Sequence, residues 1–135
     1  MKDYFNVRLP ADAIRNISSL GLAHMGDAVY EIMVRARLCE KGEETSKALH
    51  NATVAMVAAP AQAAAYGKIA SSLSEEEAVV FRRGRNARVH SVPSRSTLKE
   101  YHAATGLETL FGYLYLNGRT ERLNELFEII TGDNA

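Results

Sequence analysis

The sequence has a single cysteine, Cys39. No disulfide framework can form within the chain, and a lone thiol suits a reducing compartment. There is no apolar run near the roughly 20 residues needed to cross a bilayer, so no membrane-spanning helix is expected. The opening Met1-Lys2-Asp3-Tyr4-Phe5 is too polar for a secretory signal, and a cytoplasmic protein is expected. Net charge is missing as well: 16 basic side chains balance 16 acidic ones, which argues against attraction of the whole molecule to nucleic acid. Strand-type alternation, internal repeats and low-complexity linkers are absent. One absence is local. Between Arg82 and Lys99 there are six basic residues and no acidic one, so the neutral total hides a segregated basic stretch.

What is present describes a helical protein. At 135 residues, residues 1–135 are expected to form one domain that buries about two-thirds of its unfolded surface. Hydrophobic residues at 47% and charged residues at 24% are ordinary for a globular chain and exclude disorder. Pro10 and Asp12 open a short helix through Ile17. Ser18 or Ser19 caps a long helix to about Glu40, stopped at Gly42. Its apolar stripe is read as Leu22, Met25, Val29, Ile32, Met33 and Ala36. Thr45 or Ser46 opens a third helix to about Ala58, Pro60 marks a break or kink, and an Ala-rich helix continues to about Ile69. Ser74 and Glu77 form a capping box for a helix to about Arg85. Residues 84–96 read as a loop, 97–104 as a restarted helix, 107–116 as an apolar helix, and 119–130 as an amphipathic last helix. The fold class is all-α.

Two carboxylates stand out. Glu108 is the only formally charged residue between His102 and Arg119, inside a segment that is apolar all round a helical wheel. Such a helix belongs in an interior, where a carboxylate is costly unless it is paired or holds a metal. Asp27 lies on the long second helix nearly opposite the apolar stripe, beside His24 and Glu31. Periodicity alone makes that an acidic solvated edge with a Glu31–Arg35 pair. Yet Ala23, Tyr30 and Val34 flank Asp27, and Gly26 in mid-helix costs up to about 1 kcal/mol relative to Ala unless something packs close.

Leu22-Ala23-His24-Met25-Gly26-Asp27-Ala28-Val29 and the later Glu108-x-x-x-Gly112-x-x-Tyr115-Leu116 resemble the ribonuclease III catalytic domain, from Leu20 to Leu126. Phe81-Arg82-Arg83-Gly84-Arg85-Asn86-Ala87 and Thr105 to Leu116, with no double-stranded-RNA-binding domain following, resemble its short variant, Mini-ribonuclease III. The resemblance implies a symmetric homodimer of the ribonuclease III helical fold, each site cutting one strand. An interface made by the apolar helices would explain why residues 107–116 lack a polar face. It implies Asp27 and Glu108 as catalytic metal ligands for Mg²⁺, with Mn²⁺ as its substitute. Such an ion would activate water against a phosphodiester and stabilise the leaving 3′ oxygen. Longer enzymes carry acids where this chain has Ala23 and Thr105, so four carboxylates per site become two. His24 and Glu31 then either orient a water or are simply solvated.

The basic stretch would grip the duplex. Double-stranded RNA is read through phosphates and 2′-hydroxyls, which Arg83, Arg85, Asn86, Arg88, His90, Ser91 and Ser94 could contact. Lys47, His50 and Asn51 share a face of the third helix and are either further backbone contacts or plain surface. By the same resemblance, the substrate would be a stem of precursor large-subunit (23S) ribosomal RNA, with room for a ribosomal protein as accessory partner. The alternative is a catalytically silent module of this fold that binds RNA or ribosomes.

Overall fold

The computed structural model describes residues 1–88 and 96–133. The helices are α1 (Ala11–Arg15), α2 (Ser19–Glu40), α3 (Ser46–Val57), α4 (Ala59–Ile69), α5 (Glu75–Arg85), α6 (Leu98–Leu116) and α7 (Thr120–Thr131). Among the described residues there is no strand, only an isolated bridge between Arg8 and Asn117. The all-α expectation holds.

Side-chain caps set most helix starts. Ser18 accepts from the Gly21 amide, Thr45 from Ala48, and Ser74 and Glu77 close a reciprocal capping box. At Pro60 the chain breaks rather than kinks: Ala58 is extended, and the proline sits in the first turn of α4. α1 stops at Arg15, two residues short of the expected Ile17.

Two corrections concern the long helices. The expected segments 97–104 and 107–116 are one continuous helix, α6. A second capping box, between Thr97 and Glu100, starts it, and Gly106 does not end it: a Cβ there would come within 2.6 Å of the Phe81 ring, so this glycine marks close packing. The core face of α2 is also rotated from the stripe read in the sequence. Leu22, Ala23, Gly26, Val29, Tyr30, Val34 and Leu38 are buried, whereas Ile32 is 52% exposed and Ala36 is exposed.

The rotation follows from how α2 meets α6. A Cβ on Gly26 would overlap the backbone carbonyl of Glu108, and a Cβ on Gly112 would overlap that of Leu22. The two main chains therefore touch, and the surrounding faces of both helices are sealed. α5 and α4 cover other sides of α6, and α7 closes the end. Leu107, Leu110, Phe111 and Leu114 are fully buried within one chain. The apolar character of residues 107–116 thus needs no partner subunit to explain it, contrary to the expectation above.

α7 is tied to the start of α5 by Glu77. Burial pushes its carboxyl up, but the Arg122 guanidinium, bonding both oxygens at 2.9 Å, and the Ser74 amide outweigh that and hold it below the usual range.

Candidate active site

Gly26 and Gly112 bring α2 and α6 into backbone contact, and the residues beside that contact become neighbours. Asp27 follows Gly26 and faces Glu108, one turn before Gly112 on α6; the two carboxyl groups share a hydrogen bond. Glu108 is half-buried at the rim of the core rather than sealed inside it, and Asp27 is exposed. Burial and the Asp27 charge push the Glu108 carboxyl up to about 8, against an ordinary 4.5, while a hydrogen bond from Gln62 pulls it back in part. No ion pair found among the described residues involves either carboxylate.

Two oxygen-only carboxylates facing each other without a cationic side chain fit a hard divalent cation such as Mg²⁺. Among the described residues no group of three or more His, Cys, Asp or Glu gathers in metal-holding range. A bound ion would therefore keep most of its coordination for water. Ala23 and Thr105, where longer enzymes carry acids, are both buried, and the Thr105 hydroxyl donates to the Tyr101 carbonyl at 3.0 Å within its own helix. Glu31 pairs with Arg35 at 2.6 Å, as the spacing predicts, and His24 is exposed.

Sequence reading missed Gln62. It lies in the first turns of α4, 2% exposed, with its amide against the Glu108 carboxylate. It is the one polar side chain between Pro60 and Tyr66, a mark that points to a site only once the face of α4 that meets α6 is known.

The basic residues fall in two places. Arg82, Arg83 and Arg85 end α5 exposed, followed by exposed Asn86 and Arg88. Arg85 and Asn86 share an open cavity of about 360 Å³ with Lys99 and His102 of α6. His102, given no role from the sequence, belongs to this basic mouth, and its buried Nδ1 has no hydrogen-bond partner among the described residues. His90, Ser91 and Ser94 lie outside the described residues. His50 lines a separate cavity of about 530 Å³ with Arg35, Cys39, Glu44, Ser46, Leu49 and Thr53, and that lining includes neither Asp27 nor Glu108. Lys47 and Asn51 are exposed on α3.

Helical architecture, a two-helix carboxylate pair and a basic mouth define the class, and the comparisons agree. The Ribonuclease III domain family matches residues 20–119, and the chain belongs to that family. Its similar relatives are Mini-ribonuclease 3 proteins. One, from Symbiobacterium thermophilum, is 47% identical over 81% of this chain and 84% of its own length. Another, from Clostridium tetani, is 37% identical over 96% of this chain and 87% of its own. A crystal structure of a Fusobacterium nucleatum protein superposes with a TM-score of 0.80 at 33% identity, covering 87% of this chain and 95% of that one. The chain is an endoribonuclease of the short ribonuclease III kind.

Proposed function

We propose that the chain, as one domain over residues 1–135, hydrolyses double-stranded RNA with a divalent cation held by Asp27 and Glu108, leaving 5′-phosphate and 3′-hydroxyl ends. The observation that carries this is the facing carboxylate pair with no cationic side chain to neutralise it. In the metal-free fold the raised pKa leaves Glu108 protonated, and a divalent cation held there would have both Asp27 and Glu108 as charged ligands. When bound, Mg²⁺ (or Mn²⁺) supplies Lewis-acid chemistry at water and phosphate. The chain's own part is to fix the two oxygens' separation through the α2–α6 contact and to hold the phosphate backbone. Arg83, Arg85, Asn86 and Arg88, with Lys99 and His102 beside them, offer N–H donors and no carboxylate to that backbone, as phosphate recognition requires. His90, Ser91 and Ser94 are proposed to extend this grip. Lys47 and His50 are proposed as further backbone contacts on α3.

Two such sites are needed to cut both strands, and a twofold homodimer supplies them. Support comes from α2, which leaves Ala28, Ile32 and Ala36 exposed at one-turn intervals. Kinship with Mini-ribonuclease 3 makes a stem of precursor 23S ribosomal RNA the proposed substrate, and a cytoplasmic location goes with it.

The test is cleavage of an end-labelled RNA duplex with Mg²⁺ by wild type, Asp27→Asn and Glu108→Gln. Wild type cuts, and each variant falls by more than about a hundredfold while still binding RNA, because even outer partners of a metal site are worth 10–100-fold. Equal cutting by either variant removes that carboxylate from the mechanism.

A further inference from the structure

A buried amide surrounded by alanines has to be accounted for. Gln62 sits among Ala59, Ala61, Ala63, Ala64 and Ala65 on α4, at 2% exposure, where an unpaired polar group is costly. Its neighbour is the Glu108 carboxylate. With a cation bound Glu108 would be ionised and would only accept, so the amide must present its NH₂ group, which fixes the orientation of both side chains. Packing alone would be met by Leu or Met. A Glu at this position would bring a third negative charge to a pair that already repels.

We propose that Gln62 is a positioning residue for the cation site: its amide N–H holds the Glu108 carboxylate turned toward Asp27, so that both present oxygens to one divalent ion. This rests on the reading of Asp27 and Glu108 as the cation's ligands. The geometry that supports it comes from three helices. α2 brings Asp27 and α6 brings Glu108, while α4, packed along α6, reaches Glu108 from the core side. Glu108 therefore has a fixed donor behind it and an open side toward Asp27. Partners of this kind set the rotamer of a metal ligand, and their removal typically weakens metal affinity or activity by 10–100-fold. The start of α4 is itself secured by Pro60 in its first turn and by the Gln62 backbone N–H donating to the Ala58 carbonyl at 3.0 Å. Gln62 is thus held by the main chain as well as by packing.

The experiment uses the full chain and Mn²⁺ as the probe. Wild type, Glu108→Gln, Gln62→Met (similar length, no donor) and Gln62→Ala are compared by three readouts. These are Mn²⁺ affinity by electron paramagnetic resonance, duplex affinity without metal, and melting temperature; cleavage is then followed against Mn²⁺ concentration. The expected result is a loss of Mn²⁺ affinity of about tenfold or more in both Gln62 variants, with unchanged duplex affinity. Cleavage should be restored by raising Mn²⁺, so that the KM for metal rises and kcat at saturation is kept. Wild-type Mn²⁺ affinity in a folded Gln62 variant overturns the proposal, even if cleavage falls. Failure of both variants to fold overturns it too, since Gln62 would then be a packing residue. If wild type itself shows no Glu108-dependent Mn²⁺ binding, the reading of the site fails first and the proposal goes with it.

Discussion

At the scale of single residues, Glu108 has the most consequence for the protein's behaviour in solution. In the metal-free fold its carboxyl sits near 8 against an ordinary 4.5, so the folded state holds a proton that the unfolded chain gives up between those values. Its contribution to stability is complete below the unfolded value and is lost as pH rises through the folded one. The melting temperature of metal-free wild type should therefore fall from about pH 5 to about pH 9 more steeply than that of Glu108→Gln, and Mg²⁺ should offset the loss at the alkaline end. Parallel slopes for the two proteins would contradict this. Glu108 was conspicuous in the sequence as one charge in an apolar helix, whereas Asp27 read by periodicity as a solvated edge and was singled out only through the resemblance; the structure sets the two side by side. Gln62 was not, because a neutral amide in an Ala-rich helix becomes informative only when its face is known to meet α6.

At the scale of elements, helix starts were legible and helix faces were not. Ser18, Thr45 and Ser74 act locally, so their caps can be read from neighbouring residues. The face of α2 is set by a partner far along the chain, and its stripe was misread because Ile32 and Ala36 fit a helical period while pointing outward. Residues 97–116 were split for a similar reason: Gly106 looks like punctuation until Phe81 is seen against it. The α2–α6 contact makes its own prediction. Ala at position 112 would favour the helix by up to about 1 kcal/mol, but its methyl would overlap the Leu22 backbone carbonyl, which cannot swing aside. Overpacking costs typically 1–3 kcal/mol, and more where the clash is with main chain, so Gly112→Ala should be net destabilising in denaturant titration. Cleavage should drop further than the lost stability accounts for, because the helices that carry the two carboxylates are forced apart. A stabilised, fully active Gly112→Ala would show the contact to be slack.

At the scale of the whole molecule, one chain buries its own apolar helix, so a dimer must draw on other surfaces. Ile32, 52% exposed on the same helix as Asp27, is a large apolar side chain left bare on a helix face whose other exposed members, Ala28 and Ala36, are small. Sedimentation should find wild type as a twofold dimer and Ile32→Glu as a monomer, with cutting of both strands reduced to nicking or lost. A monomeric wild type would remove the twofold arrangement, and a dimeric Ile32→Glu would move its interface elsewhere. The overall fold was legible because its class needs only periodicity and caps. Assembly was not, because interface and core are both apolar and a sequence does not label which is which.

The backbone contact between Gly26 and Gly112 also bears on when the protein becomes a nuclease. Asp27 belongs to the second helix to leave the ribosome and Glu108 to the sixth, so the pair exists only after a long-range closure late in synthesis. A growing chain that has not yet released α6 lacks Glu108, and with it the carboxylate pair proposed to hold the cation. On that reading, the order of the helices withholds cutting from an unfinished copy.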